Sequence, residues 1–172
     1  LLKESFLEKL EREAKLFTKC LISDLTNLGI NTSNYFMDHL CFRVDSETSY
    51  EVYKSKFSKV ATLLIESEIG GRLISTFKLN KALNLGERKI ELIELPAPKP
   101  GSKYNIGFEH SEFVIPIEFS QLIEAHPNID FDTKAVNKRH NPELRVKLTG
   151  ATSAKFHHQS LESVIEKEKQ AL

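Results

Sequence analysis

Apolar residues open the chain at helical spacing: Phe6, Leu10, Phe17, Leu21, Leu25 and Leu28 recur about a turn apart, with Glu and Lys between them. The pattern predicts an amphipathic helix over residues 2–28, with Gly29 as its C-terminal stop. After a polar turn at Asn31 to Asn34 the period falls to two. Leu40, Phe42 and Val44 share one face, and His39, Cys41 and Arg43 share the other, which predicts a strand that is apolar on one side only. Helical spacing returns over 47–68 through Val52, Phe57, Val60 and Leu64, and Gly70-Gly71 is expected to break that helix. Residues 72–79 and 89–95 read as strands, Asn80 to Gly86 as a loop or strand edge, and Pro96 as a stop.

The segment Pro96-Ala97-Pro98-Lys99-Pro100-Gly101 resists both helix and sheet interior and reads as a stiff linker between two halves. The second half repeats the plan of the first. A strand over 108–115 places Ser111, Phe113 and Ile115 on one face and His110, Glu112 and Val114 on the other. A short helix follows at 118–126, then strands near 131–137, 143–149 and 152–158. A final helix is capped by Ser160. Strand, helix and three strands thus occur twice, each time with a histidine near the start of the leading strand.

Composition describes an ordinary folded chain. Of 172 residues, 40% are hydrophobic and 28% charged, enough to build a core without staples. Lys plus Arg equals Asp plus Glu at 24 each, so net charge gives no argument for nucleic acid as a partner. The apolar stretches are too short for a membrane span, and the N-terminal segment mixes acids and bases without an apolar signal core. Cys20 and Cys41 lack CxxC spacing and read as two reduced, buried, structural thiols. Reduced thiols suggest a cytoplasmic protein.

The chemistry falls on the polar faces of the repeated strands. If each apolar face packs under a helix, His39, Cys41 and Arg43 from one half and His110 and Glu112 from the other look into what the sheets enclose. The last strands add candidates. Glu91 and Glu94 point to opposite faces of Ile90–Leu95, and periodicity alone does not choose between them. In Ala154 to His158, Phe156 is expected to face the helix and Lys155 and His157 the cavity. Imidazoles and carboxylates on neighbouring strands suit a divalent metal such as Zn, Fe, Mn or Ni. A GxSxG elbow, a P-loop and a GxGxxG turn are all missing from the sequence.

At these residues the chain resembles the YecM family, within the vicinal-oxygen-chelate (glyoxalase- and dioxygenase-like) superfamily. Asp38-His39-Leu40-Cys41-Phe42-Arg43, Ile93-Glu94-Leu95-Pro96, Glu109-His110-Ser111-Glu112, Asn141-Pro142 and Lys155-Phe156-His157 carry the resemblance. It implies an α+β fold of two βαβββ modules forming a curved mixed sheet around a pocket, plus N- and C-terminal helices. The expected layout is one domain over 1–172, with a helix at 1–30, the first module at 36–96, a linker at 97–107 and the second module at 108–172. The resemblance also implies metal ligands at His39, Glu94, His110 and His157, and it favours Glu94 over Glu91. A superfamily site would use His157 as a fourth ligand or as a base. Glu112 would be a general base or would orient a ligand. Arg43, Arg72 and Lys155 would hold an anionic substrate group. The activity implied is isomerase, lyase or dioxygenase chemistry on a small oxygen-rich substrate. The alternative is a non-catalytic protein that binds a small ligand in the same pocket.

Overall fold

The computed structural model describes residues 4–171, and residues 2 and 3 of the expected first helix lie outside that range. The elements are α1 (Phe6–Asn27), β1 (Phe36–Arg43), α2 (Glu47–Phe57), β2 (Ala61–Ile69), β3 (Arg72–Asn84), β4 (Lys89–Pro96), β5 (Gly107–Val114), α3 (Phe119–Ala125), β6 (Phe131–Asp132), β7 (Leu144–Lys147), β8 (Ser153–His157) and α4 (Leu161–Gln170). The fold is α+β, and strand–helix–three strands occurs twice, as the sequence pattern implies. Packing divides the chain into two compact units, one of Leu1–Phe17 with His39–Glu109 and one of Thr18–Asp38 with His110–Leu172.

In the first unit the strand order is β2-β3-β4-β1. β1 and β4 run parallel, while β2–β3 and β3–β4 are antiparallel. The apolar face of β1 packs as its alternation requires. Phe42 lies 4.9 Å from the Tyr53 ring and 5.7 Å from the Phe57 ring of α2, and Phe57 stacks on Phe77 of β3 at 5.5 Å. Helix α2 starts at Ser46, whose hydroxyl accepts from the Ser49 amide. On its inner side the Tyr50 hydroxyl donates to Glu66 at 2.7 Å and lies 2.7 Å from Ser75, while Lys54 pairs with the same Glu66 oxygen at 2.5 Å.

The expected helix over 47–68 ends at Phe57, and residues 61–69 form an edge strand instead. Gly70 and Gly71 both have positive φ, 61° and 77°, and they sit between the paired residues Ile69 and Arg72. That is the backbone of a tight two-residue hairpin turn, so this glycine pair joins two strands and does not stop a helix. The ladder shifts register between Leu63 and Ile65, which leaves Leu64 as the extra residue. Leu64 was one of the positions that suggested helical spacing. β3 likewise runs on to Asn84, through the segment expected to be a loop or strand edge.

In the second unit the order is β5-β8-β7-β6. β5 and β8 are parallel, and β7 is antiparallel to both β8 and β6. Phe113 and Phe156 stack at 5.9 Å on the apolar face, and Tyr35 meets Phe156 edge-on at 6.4 Å. β6 is only two residues long, because the Asp132 side chain accepts from the Lys134 amide and turns the chain away. Ser160 caps α4 as expected, accepting from the Ser163 amide. The buried Asp38 carboxylate accepts from the Leu161 amide of the same helix start at 2.9 Å.

The buried stripe of α1 is Leu10, Ala14, Thr18, Leu21 and Leu25, with Leu28 exposed. The thiols differ from the sequence expectation. Cys41 is buried on β1, but Cys20 is exposed, since it falls outside that stripe. No helix among the described residues is long and apolar enough to cross a membrane.

Candidate functional site

With Phe113 and Phe156 committed to the apolar face of the second unit, their neighbours must emerge on the other face. There the structure brings together four of the residues singled out from sequence. Ladder register sets Glu112 opposite Lys155, His110 opposite Ser153 and Val114 opposite His157. The Glu112 carboxylate is the hub. One oxygen lies 3.3 Å from His110 Nε2 and 3.3 Å from Lys155 Nζ, and the other contacts His157 Nε2. Glu112, His110 and His157 are all buried.

The proton inventory of His157 follows from its partners. Nδ1 lies 3.1 Å from the Pro142 carbonyl oxygen. A carbonyl can only accept, so Nδ1 carries a proton. Nε2 faces the Glu112 carboxylate, and that contact also needs a proton between the two atoms. Lys155 also lies 3.4 Å from Glu143, so its ammonium is set between two carboxylates.

In the first unit His39, Cys41 and Arg43 share the face opposite Leu40 and Phe42, as the alternation predicts. His39 is buried opposite Leu92, while Cys41 is buried opposite Glu94. Glu94 therefore sits two pairs along the ladder from His39, on the same face, and its carboxylate and the Cys41 thiol offer donor atoms within 4.8 Å of each other. Glu91, the other candidate from periodicity, is exposed. Arg43 donates from Nε to Glu109 at 3.0 Å, and its guanidinium lies 4.8 Å from the Tyr104 ring centroid. Burial opposes the Arg43 charge, but Cys41 and Glu109 more than offset it and hold its pKa above the usual value. Arg72 donates to the Ala97 carbonyl at 3.1 Å. Its pKa is lowered, first by burial and then by the neighbouring charge of Arg43.

The two modules are not equivalent where their sequences suggest. Register makes Cys41–Glu94 the counterpart of Glu112–Lys155. His157 pairs one full side-chain repeat further along, at the level that Pro96 occupies in the first module. Tyr104 in the expected linker and Glu143 carried no sequence signal that singled them out, while Glu109 and Pro142 stood within the segments of family resemblance without a role of their own. Only Glu143 was open to alternation, since it shares parity with Arg145, the ladder partner of Lys155.

A family profile described as YecM protein matches residues 6–168. The chain belongs to the YecM family. Protein YecM of Escherichia coli (strain K12) is 29% identical over 160 residues, which cover 84% of each sequence. A solved structure described as Structural Genomics, Protein EC4020 superimposes with a TM-score of 0.77 at 24% identity, covering 97% of this chain and 98% of that one. A hypothetical protein BH1468 from Bacillus halodurans C-125 follows at a TM-score of 0.52 and 15% identity, covering 74% of this chain and 96% of that one. At these identities the two structures speak to the fold of this YecM family member, not to its chemistry.

Proposed function

We propose that this protein is a metal-dependent enzyme of the vicinal-oxygen-chelate type, acting on a small, anionic, oxygen-rich substrate. The observation that carries the reading is the buried His110–Glu112–His157 cluster. Titratable groups gathered away from water with a proton to exchange are what acid–base chemistry needs, and they are costly to keep for packing alone.

His39 and Glu94 are the donors we assign to a divalent ion, of Zn, Fe, Mn or Ni type. Imidazole and carboxylate at buried or half-buried positions on rigid strands suit such an ion, and the closeness of Glu94 to Cys41 shows that donor atoms crowd together on this face. Held there, the ion would supply charge stabilisation to an oxyanion developing on the substrate. His157 enters this reading as a proton carrier, because its two nitrogens already face Pro142 and Glu112. Glu112 takes the substrate proton and exchanges it with His157, while Lys155 steadies the carboxylate. Arg43 and Arg72 hold the anionic group.

The test is metal analysis of untagged protein after reconstitution with each ion and removal of excess. The reading expects close to one ion per chain, loss of that ion in His39→Ala and Glu94→Ala, and retention in His157→Ala. A wild type that takes up no ion, or a His39→Ala variant that loads like wild type, refutes it.

A further inference from the structure

Arg43 ends β1 and Arg72 begins β3. Continuing the ladder two pairs beyond Cys41–Glu94 sets Arg43 beside Pro96, and Ile74 pairs with Pro96 from the other side. Arg72 lies two residues from Ile74 and so emerges on the same face. Two guanidinium groups thus flank one end of β4. Each is fixed by one contact: Arg72 by the Ala97 carbonyl and Arg43 by Glu109, with the Tyr104 ring alongside. Arg43 Nη1 is buried and makes no hydrogen bond among the described residues. A buried charged donor without an acceptor is a costly thing to leave in a fold.

We propose that Arg43 and Arg72 form an anion subsite that takes a carboxylate of the substrate, received by Arg43 Nη1 and the free donors of Arg72. The inference rests on the reading of this face as a ligand site, but not on the metal. Arg43 has a carboxylate partner in Glu109, whereas Arg72 bonds only the neutral Ala97 carbonyl, which leaves one positive charge to be met. A carboxylate supplies one negative charge and two oxygens in the plane a guanidinium fork matches, whereas a phosphate dianion would overshoot. An anion between the arginines would also relieve the repulsion that Arg72 feels from Arg43. Lys155 is a poorer candidate, because Glu112 and Glu143 already neutralise it.

The experiment is calorimetric titration of the whole chain with glycolate, and separately with inorganic phosphate, in the presence of chelator. Wild type, Arg72→Gln and the charge-conserving double variant Arg43→Gln/Glu109→Gln are compared, with circular dichroism confirming the fold. Glycolate should bind wild type, and each variant should weaken it by about tenfold or more, the worth of one charge-assisted hydrogen bond. If the double variant does not fold, Arg72→Gln alone decides. No glycolate binding to wild type, unchanged affinity in the variants, or phosphate binding at least about tenfold tighter than glycolate would overturn the proposal. With chelator present, a negative result here leaves the metal reading standing, and a failed metal reconstitution leaves the subsite standing.

Discussion

Replacing Glu112 with alanine should destabilise the chain far more than its size suggests. The carboxylate faces two imidazoles and an ammonium at one buried point, so its removal takes away the counter-charge that His110, His157 and Lys155 share, with Glu143 remaining beside Lys155. Removing one partner of a buried ionic cluster costs about 3–5 kcal/mol. A domain of this kind holds about 5–15 kcal/mol in total, so the loss is a large fraction. With a urea slope of about 1–3 kcal/mol per molar, the unfolding midpoint should fall by at least about 1 M. The chain has no tryptophan, so far-ultraviolet circular dichroism is the probe. His157→Ala should cost less, because Glu112 keeps His110 and Lys155. In the double variant the two losses should overlap, with a coupling of about 1 kcal/mol or more. A Glu112→Ala midpoint equal to that of wild type, or strictly additive variants, would refute the description of Glu112 as the hub of this cluster.

Two further outcomes test the frame that carries the site. Lys54, Tyr50 and Ser75 hold the Glu66 carboxyl below its usual value of 4.5, against the opposing effect of burial. Its folded-state pKa is depressed, so its contribution is complete above 4.5 and disappears as pH falls through the folded value. Glu66→Gln should therefore cost about 1 kcal/mol at neutral pH, discounted for partial exposure, and close to nothing in strong acid, read from urea midpoints at both pH values. Equal losses at both would show that its charge does not matter. At the β2–β3 turn, Gly71→Val forces a β-branched residue to positive φ and should cost about 1–2 kcal/mol, with faster amide exchange in β2 and β3, whereas Gly71→Asn should cost less. Equal stability of the two variants would contradict the turn geometry.

Local alternation was enough to determine much of this protein. Leu40 with Phe42, and Phe113 with Phe156, could only be buried by turning His39, Cys41, His110, Glu112 and Lys155 to the opposite face, and the order of elements showed the doubled module. Two things lay beyond reach of the sequence. Residues 61–69 carry apolar positions compatible with either period, and their strand conformation comes from pairing with β3 across two left-handed glycines. The partners of the site residues depend on ladder register between strands that are about 40 to 50 residues apart along the chain. Nothing local encodes that register: it is fixed when each unit packs its aromatic face. Register placed Cys41 beside Glu94, matched Lys155 rather than His157 to that glutamate, and brought Glu143 and the Pro142 carbonyl to His157 and Lys155. Side-chain direction is a property of the neighbouring residues, whereas partnership is a property of the whole sheet.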